Sequence, residues 1–327
     1  MIFRTPSYYE KFRCIADKCT DNCCIGWEID IDSDTAGYFS TVGGKFGKRL
    51  SENIREGSFV LTHDEKCPFL NGKGLCDIFT ELGEEHLCQI CTDHPRYYEW
   101  FGNIKEGGVG LCCEEAARLI LSEDMSLSET CIPDEECDEP DPEFFDMLIS
   151  ARDTIIRHIS HDSDMRKCLG RLISYAIAVQ KAADEEVYAL PAWDELPEAP
   201  LPDIRDVLPV LKKLEPMSSE WLPFLDECSE LTDKVTPLSG HFLSETRRIA
   251  AYFIFRYFMK SVFSGDILSP VTVTVISTIT INYLWECQLS RDDQLPLANM
   301  AAIAKNYSKE IEYNEDNLEK TAWIPIL

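Results

Sequence analysis

Ten of the chain's fifteen cysteines fall between Cys14 and Cys113, in a spacing suited to holding metal. They run Cys14-x4-Cys19-x3-Cys23-Cys24, then Cys67-x8-Cys76-x11-Cys88-x2-Cys91, and end in Cys112-Cys113. Thiolates are soft ligands, and four in tetrahedral array hold either zinc or an iron–sulfur cluster, so ligand type alone does not separate the two. Cys88-x2-Cys91 is the tightest signal, because two intervening residues let one turn of chain present both sulfurs to a single ion. His94, two residues further on, adds an available nitrogen ligand. In the adjacent pairs Cys23-Cys24 and Cys112-Cys113 both sulfurs cannot easily aim at one metal, so one member is expected to ligate while the other packs.

The alternative use of so many cysteines is a disulfide scaffold. Such scaffolds are typically short secreted chains without a core, whereas this chain has 327 residues and is 45% hydrophobic. Its opening, MIFRTPSYYEKFRC, offers no apolar run of the kind a secretory signal needs, so a cytoplasmic, reducing location is expected and metal is favoured over disulfides. The formal charge of -27 argues against nucleic acid as a partner and would steer a basic protein surface inward. Ile267 to Trp285 carries no charge, but seven of its nineteen residues are Ser, Thr or Asn. That polarity suits a helix buried among helices better than one facing lipid, so no membrane span is expected.

These features divide the chain into a cysteine-rich metal-binding region (1–122), an acidic linker or loop (123–146) and an α-helical domain (147–327). The fold class is mainly α, with small β elements in the metal-organised N-terminal region, where a coordinated ion can replace part of a hydrophobic core. In that region SDTAGYF can start a helix capped by Ser33 or Asp34. The linker contains eleven acidic residues, three prolines and no Lys, Arg or His. Beyond it, apolar residues recur every three or four positions. The strongest helix runs from Leu243 to Phe263, and its aromatic run Tyr252, Phe253, Phe255, Tyr257 and Phe258 reads as core. VTVTVISTITI also fits strand alternation, but its helical neighbours decide for helix. The proline-broken stretch from Leu196 to Pro223 reads as short helices and turns. No G-x-G-x-x-G occurs, VGGKFGKRL lacks the residues of a phosphate loop, and His158 with His161 fits an exposed helix face.

The stretch YYEKFRCIADKCTDNCCIGWEIDID, then CPFLNGKGLCDIF, then GEEHLCQICTDHPR and LCCEEAARLIL resemble, in this order, blocks of the flagellin lysine-N-methylase family. The first two also resemble small zinc- or iron-chelating cysteine-cluster domains. RRIAAYFIFRYFMKSVFSGD and NYSKEIEYNEDNLE are similar to later segments of the methylase family, so the resemblance spans most of the chain. It implies methyl transfer to lysine side chains of flagellin, with S-adenosylmethionine as donor and a 4Fe-4S cluster, zinc being the alternative metal. The ligand set it implies is Cys14, Cys19, Cys23, Cys24, Cys67, Cys76, Cys88, Cys91 and Cys112, with Cys113 departing from the family's pattern.

Such a reaction needs a neutral lysine amine, and with a reference pKa of about 10.4 the site must desolvate that amine or supply a base. Glu84, Glu85, Asp93, Glu106, Glu114 and Glu115 are carboxylates close in sequence to the cysteines, and none is singled out. Two rival readings remain: a non-enzymatic zinc- or iron-binding structural or interaction protein, and an iron–sulfur redox sensor.

Overall fold

The computed structural model describes residues 1–326. The N-terminal region starts with strand β1 (Ile2–Pro6), followed by a loop carrying Cys14 to Cys24 in which only short 3-10 turns form. Helices α1 (Ser33–Thr41) and α2 (Gly44–Glu52) and the small hairpin of β2 (Ile54–Arg55) and β3 (Ser58–Phe59) come next. Short helices α3 (Asp77–Leu82) and α4 (Gln89–Asp93) follow, then β4 (Arg96–Phe101), β5 (Ile104–Val109), α5 (Glu114–Ser122) and β6 (Leu127–Cys131). The cap of α1 is Asp32 rather than Ser33 or Asp34. Its carboxylate accepts from the Thr35 N–H at 2.9 Å and also from the Gln89 N–H at 2.9 Å, which ties α1 to the start of α4.

The four larger strands form one sheet in the order β4-β5-β1-β6, with β1 parallel to β5 and antiparallel to β6. Strand β6 lies inside the acidic stretch read from sequence as linker or loop. Main-chain pairing with β1, from Ile2 opposite Cys131 to Pro6 opposite Leu127, holds it there, while residues 128–131 stay exposed. With neither face buried, its side chains carry no alternation for a sequence reading to detect.

From Pro142 onward the chain is helical: α6 (Pro142–His161), α7 (Met165–Asp184), α8 (Ile204–Leu211), α9 (Trp221–Ser229), α10 (Leu243–Tyr257), α11 (Ser261–Ser264), α12 (Leu268–Leu289), α13 (Leu297–Glu312) and α14 (Glu315–Ala322). Asp141 and Asp164 cap α6 and α7 by accepting main-chain N–H bonds, with Pro142 at the first turn of α6. The helix expected from Leu243 to Phe263 breaks after Tyr257 into a 3-10 turn and α11. Gly265, at φ 72°, terminates α11 in the left-handed conformation that glycine adopts without cost. Helix α12 is apolar enough to cross a membrane by composition, yet 83% of its most apolar window is buried within the protein. Every residue from Val271 to Cys287 is buried, as suits a central helix packed on all sides.

Two cores result. The large one joins the helices to Tyr8, Tyr9, Phe12, Phe101, Ile104 and Val109 of the N-terminal region. The small one holds Ile29, Ile31, Phe39, Leu50, Phe59, Phe69 and Ile78 together with Cys67 and Cys88.

An ion pair fastens the sheet to the helices. Glu106 on β5 and Arg152 on α6 are 3% and 0% exposed, and two parallel bonds of 2.6 Å join both carboxylate oxygens to the guanidinium. Truncating one member leaves the other charge buried and unpaired. Glu106→Ala is therefore expected to cost about 3–5 kcal/mol in urea unfolding, whereas Glu52→Ala, at the exposed Lys48–Glu52 pair, should cost below about 0.5 kcal/mol.

Candidate functional site

The small core is where most of the predicted metal ligands meet. Cys67 and Cys88 are buried in it, and Cys24, Cys76 and Cys91 pack against it. The chain brings them together through backbone contacts between distant segments. The Cys67 N–H donates to the Cys24 carbonyl at 2.8 Å, Leu70 bridges to Cys76, and the Asp77 N–H reaches the Phe69 carbonyl at 2.8 Å. Arg49 clamps the turn from outside, donating to Asp77 at 2.7 Å and to the Pro68 carbonyl at 2.7 Å. In Cys88-x2-Cys91 the Cys91 N–H bonds to the Cys88 carbonyl at 2.9 Å, so the first turn of α4 puts both sulfurs on one side, as the spacing predicts.

All fifteen cysteines are free thiols. Those of the cluster perturb one another. Burial pushes Cys67 up to about 11, with neighbouring Cys76 and Cys91 adding to it. Burial likewise raises Cys76. Cys91 is raised by its hydrogen bond to Cys88 and then by burial, with Cys88 and Cys23 adding their charge. Cys24 shares a hydrogen bond with Cys23 that raises Cys24 and lowers Cys23, so Cys23 is the thiol of that pair that ionises first. Cys19 and Cys23 in turn adjoin Cys113, which burial holds up to about 12. Buried thiols in mutual range cannot all become thiolates without a compensating cation. The donor set therefore suits a soft, thiolate-binding metal, although among the described residues no three Cys, His, Asp or Glu side chains are gathered at ligating distance.

The remaining predicted ligands are placed differently. Cys14 is exposed, its sulfur accepting the Ala16 N–H at 3.4 Å. Cys112 is buried, and burial raises its thiol while Tyr313 beside it pulls the other way. Of the adjacent pair, it is Cys113 that adjoins Cys19 and Cys23. His94 is neutral, lowered to about 4 by burial and by the Lys309 ammonium. Cys131 is exposed, and Cys137 donates to the Gly102 carbonyl at 2.9 Å.

Among the acidic candidates, Glu106 is spent on Arg152. Glu114 accepts from the Thr20 N–H and hydroxyl at 2.8 and 2.6 Å, and Glu115 pairs with Arg118. Asp93 accepts from the Gln89 side chain at 2.8 Å, while Glu84 and Glu85 are exposed.

The loop from Cys19 to Trp27 is docked on α13. Asp21 receives the ammonium groups of Lys305 and Lys309, each at 2.9 Å, and they outweigh the burial that would otherwise raise its pKa. Lys309 also lies over the Trp27 ring at 5.7 Å, and Trp27 meets Tyr313 edge-on at 5.3 Å.

Tyr313 leads into a second polar cluster, at the seam between sheet and helices. Arg256 Nε is 3.0 Å from Glu312 Oε2, and that oxygen also accepts from the Tyr252 and Tyr257 hydroxyls at 2.9 and 2.8 Å. The Tyr252 hydroxyl accepts from the Leu111 N–H at 3.0 Å, just before Cys112. The Arg256 guanidinium stands 4.2 Å over the Tyr97 ring and 5.6 Å over that of Tyr313. Two glycines make room: a Cβ on Gly108 would lie 2.3 Å from the Tyr97 hydroxyl, and one on Gly110 2.2 Å from that of Tyr313. Sequence reasoning missed this cluster. Its signal was Arg256 standing as a lone charge within the apolar run AAYFIFRYFM.

No family model and no solved structure matches this chain. Curated relatives include a lysine-N-methylase of Salmonella typhimurium, 27% identical over 139 residues, which is 39% of this chain and 35% of that protein. The lysine-N-methylase of Salmonella choleraesuis matches to the same extent. The flagellar biosynthetic protein FliU of Salmonella muenchen is 27% identical over 136 residues, 38% of this chain and 80% of that protein. The matched stretch thus spans about a third of the lysine-N-methylases, and it supports the resemblance to that family.

Asp21→Asn removes the charge that holds Lys305 and Lys309 and should loosen the cysteine loop. Brief native alkylation followed by peptide mass spectrometry is expected to label Cys19 and Cys23 several-fold faster in this variant, with buried Cys168 unlabelled in both proteins.

Proposed function

We propose that this chain is a protein-lysine N-methyltransferase, cytoplasmic, acting on flagellin or a similar lysine-bearing protein, with S-adenosylmethionine as donor and a 4Fe-4S cluster bound by its cysteines. The observation that carries the reading is the packing of Cys24, Cys67, Cys76, Cys88 and Cys91 in and around one small core, with exposed Cys23 beside Cys24, joined to the relationship with proteins named lysine-N-methylase.

Those six cysteines are the residues that would hold the cluster, with Cys19 and Cys113 adjoining them. When bound, the sulfonium donor supplies an electrophilic methyl group and the cluster supplies iron whose positive charge offsets the thiolates. The chain's own contribution is positional. Asp32 fixes α4 to α1, Asp21 fixes the first cysteine loop to α13, and the Glu106–Arg152 pair fixes the sheet against the helices. A substrate lysine must lose its proton before it can accept a methyl group. The net charge of -27 suits attraction of a lysine-bearing surface.

Anaerobic purification tests the metal: brown protein with iron and sulfide in cluster proportion is expected. Cys67→Ser should lower iron content and Cys168→Ser should not. Incubating the brown protein with flagellin and donor labelled on its methyl group should transfer label to lysine. Colourless protein carrying zinc, with no label transferred, would instead establish the structural metal-binding reading.

A further inference from the structure

Two buried ion pairs of this protein differ in how much of the carboxylate they use. Glu106 and Arg152 use both carboxylate oxygens and both terminal guanidinium nitrogens on each other. Arg256 and Glu312 touch only through Nε and Oε2. Arg256 Nη1 and Glu312 Oε1 are shielded from solvent and have no partner, although the Glu312 side chain is 0% exposed. The Tyr97 and Tyr8 hydroxyls are also buried without a partner, and both lie within electrostatic range of Arg256. Leaving such groups dry costs about 1–3 kcal/mol each. In the first pair both carboxylate oxygens are used and only Arg152 Nε lacks a partner, whereas the second leaves a cationic nitrogen and a carboxylate oxygen unpartnered in one cluster.

What remains unpartnered is one cationic donor, one anionic acceptor and neutral hydroxyls beside them. A lone lysine ammonium would meet Arg256 unfavourably, and a lone carboxylate would meet Glu312 so. A group carrying both charges on neighbouring atoms satisfies both, and that is the head of a free α-amino acid. The location agrees: the cluster sits at the seam between sheet and helices, and its Tyr313 stands against Gly110 and Trp27 of the cysteine-rich region.

We propose that Arg256 Nη1 and Glu312 Oε1, assisted by the Tyr97 hydroxyl, bind the carboxylate and ammonium of an α-amino-acid head. Under the methyl-transfer reading, on which this choice of ligand rests, the head is the methionine part of the donor. Arg256 takes the carboxylate, Glu312 takes the ammonium, and the Tyr252 and Tyr257 hydroxyls hold Glu312 in place.

The test uses the full chain, purified anaerobically with its metal, and calorimetric titration with two probes. S-adenosylhomocysteine carries the amino-acid head; 5′-methylthioadenosine has the same sulfur and adenosine without it. Wild type is expected to bind the first at least tenfold more tightly. Tyr97→Phe deletes a hydroxyl that bonds nothing in the protein, so it should melt no lower than wild type while losing about tenfold in affinity for S-adenosylhomocysteine alone. Glu312→Gln should narrow the gap between the probes further. Tyr175→Phe, which deletes another unpartnered hydroxyl packed by Trp193, should leave binding unchanged. Equal affinity for both probes, no binding of either, or a Tyr97→Phe protein that binds like wild type would overturn the proposal and leave an ordered water as occupant. The two readings fail separately. Methyl transfer with unaltered variant affinities removes this site and keeps the enzyme, whereas head-dependent binding without methyl transfer does the reverse.

Discussion

A group of buried thiols cannot lose its protons together unless a cation compensates, and the cysteine-rich region is built around that constraint. Cys67 and Cys88 occupy core positions that aliphatic side chains would otherwise fill, beside Phe59, Phe69 and Ile78. The segments that bring them there have little regular structure of their own, and Cys14 to Cys24 crosses the surface with only short turns. Geometry therefore comes from ties between segments, through carboxylates: Asp32 on α4, Asp21 on the lysines of α13, Glu114 on Thr20. Acidic residues that look like solvated surface in the sequence act here as ties between chain segments.

The helical half was legible because each of its helices buries a stripe, and α12 was read correctly as a helix once its neighbours were counted against its strand-like alternation. The end of α10 was not legible, since apolar spacing continues through Phe258 and Val262 while the backbone changes to a 3-10 turn. Strand β6 left no trace because its residues 128–131 stay exposed, so no apolar alternation marks it. The thiol cluster was legible as a set of spacings, and Cys88 and Cys91 do share one turn of chain. Which of Cys112 and Cys113 adjoins the other cysteine loop depends on how α5 is capped and how Tyr313 packs, and both are tertiary facts.

The Arg256–Glu312 cluster was illegible for a similar reason. Its members come from β4, α10 and the end of α13, and Gly108 and Gly110 matter only because tyrosines from elsewhere stand against them. The two ends of the chain thus meet at one place. Residues around Trp27 touch α13 and Tyr313, so the loop that carries the first cysteines and the helix that carries Glu312 share a boundary.

The outer strand of the sheet has a consequence of its own. Because β6 exposes a free row of peptide groups, it is where a second chain would add itself by strand pairing. That edge is short, and the segment that follows is crowded with carboxylates. An approaching copy would bring the same negative segment with it. The acidic stretch would therefore oppose growth of the sheet beyond β6 by charge repulsion.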